Sequence, residues 1–266
     1  MLQQAKDLLE EGKELFALLD ELDESDWSRR TPFKGWTVND VVSHLHGGDW
    51  LAVQSLTNEA QFDAALNARR AAAEGGGSAR DVVSPGPERV SGRDLLAQWW
   101  SYLQTMCEEL GRADPDRRVR WVGPDMGVRM FTTARQMETW AHGQDIYDLL
   151  KRERVYTDRL KNIAVLGCRT FGWTFANRGE EAPRPVPHVR LTAPSGAIWE
   201  WHEPSETDRV EGSAVDFCHV VTQGRNIADT SLRVVGESAR RWMTVAQCFA
   251  GPANDPPAPG EREWRA

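Results

Sequence analysis

Apolar residues recur at helical spacing along the first two thirds of the chain. Leu8, Leu9, Leu15, Phe16, Leu18, Leu19 and Leu22 mark an amphipathic helix over residues 2–22. After a turn through Ser25 to Pro32, Thr37-Val-Asn-Asp40 reads as a capping box, with Asp where Glu or Gln is usual. It opens a helix from Val38 that ends near Gly47-Gly48 or runs on to about Leu56. The Ala-rich stretch Gln61 to Ala73 has helical propensity, and further helices are expected over Arg93 to Leu110, Thr132 to Leu150 and Thr157 to Ala176. Between them, Gly75-Gly-Gly-Ser and Ser84-Pro-Gly-Pro punctuate a long loop reaching Gly92, read as a flexible connection rather than a lid.

The texture changes after Arg178. Pro183, Pro185 and Pro187 suggest a hinge, and Val189 to Trp201 reads as two strands joined by a Pro-Ser-Gly turn. Asp208 to Gly212 and Ser231 to Val235 add strands; Ser213 to Val221 and Glu237 to Phe249 add helices. The expected fold class is therefore multidomain, α and α/β: a helical bundle over 1–178, a small α+β domain over 184–250, and a Pro-rich tail, 251–266, expected to be disordered.

Composition narrows the functional classes. Apolar residues make up 40% and charged residues 27%, enough for a globular core. The formal charge of −8 argues against a nucleic-acid binder or a protein docked on an anionic membrane. The first residues, Met-Leu-Gln-Gln-Ala-Lys-Asp, do not read as a signal peptide, so a cytoplasmic location is expected. Four cysteines stand far apart without metal-ribbon spacing, and twelve tryptophans serve either core or pocket walls. No phosphate-cradling glycine loop and no nucleophile elbow occurs.

Chemistry concentrates in residues 132–150. Arg135, Glu138, His142 and Asp145 fall within an arc of about 80°, shared with Leu149. Polar groups on a core-facing stripe must be compensated. Either they form a buried network, with Arg135 pairing Glu138, or Glu138 and His142 ligate a metal one turn apart. A third ligand is available from the helix beginning at Val38. His44 and His46 lie about 160° apart on it; His44 is taken as the inward one and His46 as pointing outward. His44, Glu138 and His142 would leave a coordination position open, as catalytic sites do. Asp145 and Arg135 are expected to stand behind the ligands, Asp145 orienting an imidazole. Nitrogen and oxygen donors suit Zn²⁺ and also fit Ni²⁺, Fe²⁺ or Mn²⁺.

At these residues a family resemblance emerges. Gly35-Trp-Thr-Val-Asn-Asp-Val-Val-Ser-His44-Leu and Glu138-Thr-Trp-Ala-His142-Gly-Gln-Asp145 are similar to the two signatures of the mycothiol-dependent maleylpyruvate isomerase family, within the DinB superfamily. The resemblance implies a DinB-like four-helix bundle binding a divalent metal, usually zinc, through His44, Glu138 and His142, and implies that the metal can activate a low-molecular-weight thiol such as mycothiol. More loosely, Gly212-Ser-Ala-Val-Asp-Phe and Val221-Thr-Gln-Gly-Arg225 resemble the family's second domain, with Gln223 inserted before the Gly-Arg pair. That likeness implies a catalytic Arg225 able to clamp a substrate carboxylate; the plain alternative is a surface arginine in a turn. The texture looks most like a branch of the superfamily described only as metal-binding proteins.

The leading expectation is a metal-dependent isomerase or transferase acting on a small molecule, its metal activating a thiol or a substrate oxygen. The alternatives are a non-catalytic metal-containing binding or regulatory protein, and a structural metal with every position filled.

Overall fold

The computed structural model describes residues 2–74 and 90–262, and the chain folds as two compact units, Met1–Leu149 and Leu150–Ala266. The expected 75–92 loop lies, except for 90–92, outside the described residues.

The first unit contains helices α1 (Gln3–Asp20), α2 (Val38–Thr57), α3 (Glu59–Glu74), α4 (Gly92–Arg112) and α5 (Val128–Leu150). Helix α1 buries Leu8, Leu15, Leu18 and Leu19, the stripe its sequence spacing predicts, and packs on α4. Gly12 leaves room for Leu103, which would collide with a β-carbon there. Thr37 caps α2 as expected: its side chain accepts from the Asp40 N–H (3.1 Å), while Asp40 accepts from the Thr37 N–H (2.8 Å). Helix α2 runs straight through Gly47-Gly48 and is buried on almost every side. A short antiparallel pair, β1 (Arg118–Val119) with β2 (Met126–Gly127), leads directly into α5.

The second unit begins with α6 (Leu160–Arg169) and α7 (Phe171–Ala176), which replace the single helix expected over 157–176; the break falls at Thr170, whose hydroxyl donates back to the Leu166 carbonyl at 2.8 Å. A four-stranded sheet follows, of β3 (His188–Thr192), β4 (Ile198–Trp201), β5 (Arg209–Ser213) and β6 (Arg233–Val235), in the order β4-β3-β5-β6. β3 pairs antiparallel with β4 and parallel with β5, and β6 closes antiparallel on β5. Helices α8 (Ala214–Val221) and α9 (Glu237–Met243) complete it; α9 stops short of the expected Phe249.

The division after Leu149 precedes the boundary expected at 178. Burial explains the difference: α6 packs against α8, Gly167 lying against Phe217 and Val221, while Trp242 of α9 meets Phe171 and Phe217 edge-on. The apolar faces of α6 and α7 are thus satisfied within the second unit. The expected disordered tail is also corrected as far as residue 262. Asp255 pairs with Arg178, Asn254 bonds to Gln223 in both directions, Gly260 donates to Asp229 and Arg262 donates to the Gln223 carbonyl. Among the described residues, no helix is long and apolar enough to cross a membrane.

Candidate metal centre

Helix α5 presents its polar stripe to α2. His44 Nε2 donates to Glu138 Oε2 at 3.0 Å, and His142 Nε2 lies 3.8 Å from the same oxygen. One ligating atom from each of the three residues lies within 4.8 Å of the other two. Two ligands of a tetrahedral ion with bonds of ~2.1 Å stand roughly 3.4 Å apart, so the donor set suits a small divalent cation with modest adjustment. The side chains of His44 and Glu138 keep 34% and 22% of their surface exposed and that of His142 keeps 10%, so the cluster sits at the edge of the core.

Asp145 Oδ2 accepts a hydrogen bond from His142 Nδ1 at 3.0 Å, which leaves the Nε2 lone pair facing Glu138. Burial works to raise the Glu138 carboxyl pKa, but the His44 hydrogen bond and the nearby charges of His44, His142 and Arg135 outweigh it and hold it at about 2. Burial pushes His44 down, against the hydrogen bond to Glu138. Glu138 is therefore the ionised partner of the pair and accepts the His44 hydrogen bond.

The turn preceding α2 builds an aromatic wall. Lys34 and Gly35 adopt left-handed backbone (φ 51° and 66°), and Thr31 N–H bonds the Trp36 carbonyl across the turn. Trp36 consequently stacks on His142 (centroids 5.4 Å apart, planes 11°) and meets His44 edge-on at 5.2 Å, while Phe33 contacts His142 edge-on at 5.0 Å.

Arg135 does not pair with Glu138. Its Nε and Nη2 donate to Asp49 Oδ1 at 3.1 and 2.8 Å, and Trp99 Nε1 donates to Asp49 Oδ2 at 3.1 Å. The other correction concerns His46, which is buried rather than outward, its ring edge-on to Tyr102 of α4. The face of α2 that carries His46 packs against α4. Sequence reasoning missed Asp49, Trp36 and Phe33 as parts of the site. Trp36 stood inside the quoted motif without a role.

Arg225 lies in the second unit, in the turn after α8. Gln223 takes a left-handed conformation (φ 57°), the N–H groups of Gly224 and Arg225 return to the His219 carbonyl, and the Arg225 guanidinium donates to the Gly224 carbonyl at 2.8 Å. The inserted Gln223 is the residue that makes this turn, its amide bonding the Ala246 and Asn254 carbonyls. His219 itself is buried beside Tyr156 (3.3 Å) and is driven well below the ordinary histidine pKa by burial, then by the charges of Arg225, Arg154 and Arg262.

Comparison with known proteins gives this geometry a family. The model of the mycothiol maleylpyruvate isomerase N-terminal domain matches residues 8–147, a span that includes His44, Glu138 and His142. The chain belongs to this family. As a member of the mycothiol maleylpyruvate isomerase N-terminal domain family, it is also similar to two Mycobacterium tuberculosis proteins, uncharacterized proteins MT0041 and Rv0036c, each 39% identical over 246 residues that cover 92% of this chain and 95% of theirs. A crystal structure of the mycothiol-dependent maleylpyruvate isomerase shares the fold, with a TM-score of 0.50 at 14% identity over 82% of this chain and 87% of that one.

Proposed function

We propose that the chain is a metal-dependent enzyme in which His44, Glu138 and His142 hold one divalent ion, zinc by donor preference, with nickel or iron as alternatives. The reaction we assign is activation of a low-molecular-weight thiol, mycothiol in the first instance, or of a substrate oxygen, for S-transfer, addition or isomerisation of a small molecule. Arg225 is the cation proposed for a substrate carboxylate.

The observation that carries the reading is the convergence of two imidazoles and a carboxylate within 4.8 Å. The group numbers three among the described residues, so a four-coordinate ion would keep one position for a thiol or substrate oxygen, which disfavours a filled structural site. Thiol chemistry enters through the family and the name of the related fold. A bound divalent ion supplies Lewis acidity, bringing the pKa of a thiol or water in its open position toward neutrality.

The chain's own residues prepare that chemistry. Glu138 is ionised throughout the physiological range and carries the negative charge of the set. Asp145 holds the His142 Nδ1 proton and so keeps Nε2 available. Trp36 packs on both imidazoles and Phe33 on that of His142, covering part of their faces.

Elemental analysis of the purified protein beside a His44→Ala/His142→Ala double variant is the direct test. One ion per chain in the native protein, lost in the variant with helicity intact, is the expected outcome. After cobalt substitution, added thiol should produce a thiolate-to-metal absorption band. A native protein that takes up no ion from Zn²⁺, Ni²⁺ or Fe²⁺, or a variant that retains it stoichiometrically, overturns the assignment.

A further inference from the structure

The three ligands come from two helices, so the site exists only while α2 and α5 keep their spacing and register. Among the side-chain links that join these helices here are the His44–Glu138 hydrogen bond and the ion pair of Asp49 with Arg135. Asp49 lies five residues beyond His44 on α2, and Arg135 three residues before Glu138 on α5. The two links are therefore roughly 5–8 Å apart along the helices.

We infer that Asp49 is a positioning residue of the metal centre: by pinning Arg135, it holds α2 against α5 so that His44 already faces Glu138 and His142 when an ion arrives. This rests on the metal-site reading proposed above. Asp49 is completely buried and the Arg135 side chain keeps only 4% of its surface exposed. A buried charge separated from its partner is strongly penalised, so the pair has one favourable arrangement. Both carboxylate oxygens of Asp49 are used: Oδ1 takes two guanidinium N–H groups and Oδ2 takes Trp99 of α4, so the clamp is itself anchored from a third helix. Trp121 lies under the guanidinium, 5.9 Å from its ring centre.

Gly48 completes the device. A β-carbon at this position would stand 2.6 Å from Arg135 Nη2 and 2.9 Å from Nη1. Only glycine lets the guanidinium lie flat against α2 and reach Asp49. A mid-helix glycine is otherwise unfavourable relative to alanine, so here the close approach outweighs helix propensity.

The test uses the full-length chain and three readouts: zinc affinity by chelator competition, the visible spectrum of the cobalt form, and far-ultraviolet circular dichroism. Gly48→Ala displaces the guanidinium without removing a charge, and Asp49→Asn removes its anchor. Each should weaken metal binding by roughly 10–100-fold and alter the cobalt spectrum while helicity is kept. If Asp49→Asn fails to fold, Gly48→Ala decides alone. Native affinity together with an unchanged cobalt spectrum in Gly48→Ala overturns the inference and leaves the metal site standing. A wild-type chain that binds no ion overturns the proposed function instead.

Discussion

Asp145 makes one bond that matters for the candidate site, and its effect is to choose a nitrogen. With Nδ1 of His142 committed as donor, Nε2 is the atom left to face Glu138. Asp145→Ala should therefore weaken zinc binding by roughly 10–100-fold in a chelator competition, with the fold intact. This part of the site was legible in the sequence because Arg135, Glu138, His142 and Asp145 share one arc of α5. Asp49 was hidden by the same arithmetic: it stands about 140° around α2 from His44, away from the arc expected to face inward. His46 misled for a related reason. The reading gave α2 one inner face, whereas the helix is buried against α4 as well. The wall of Phe33 and Trp36 depends on a turn with two left-handed residues, which periodicity does not detect.

Among the elements, the long helices announced themselves through their 3.6-residue repeat, and the β3–β4 hairpin through alternation around Pro-Ser-Gly. The break at Thr170 did not, because apolar residues continue on both sides of it and the interruption comes from packing. The pair β1 and β2 has two residues per strand, too few for any alternation to register. Helices α6 and α8 approach closely at Gly167, where an added β-carbon would meet Val221 Cγ2 at 2.9 Å and Phe217 Cε1 at 3.0 Å. Neither neighbour can retreat freely inside a packed core. Gly167→Ala should therefore cost about 1–3 kcal/mol in a denaturant titration, despite alanine's better helix propensity.

For the whole molecule, the sequence located the change of texture but not the boundary between units. The prolines at 183–187 mark the passage from α7 to β3, whereas a unit is defined by where its faces are buried, and α6 and α7 bury theirs against α8 and α9. Stability should also depend on pH through His219. Its folded pKa lies well below the ordinary value near 6.5, so between those limits the unfolded chain binds a proton that the native state refuses. Stability is fully present above about pH 6.5 and declines as the pH falls through that window. Denaturant midpoints at pH 7 and pH 5 should separate in the native protein, and separate less in His219→Gln; equal separation in both would remove His219 as the cause. The stretch from Asn254 to Arg262 has a practical consequence for anyone shortening the gene. Asn254 and Arg262 fasten to Gln223, two residues before Arg225. A stop codon placed after 250, where the prolines invite it, would untie the turn presenting that arginine. On the role proposed for Arg225, an inactive truncation would then report the loss of this turn rather than a contact between the tail and substrate.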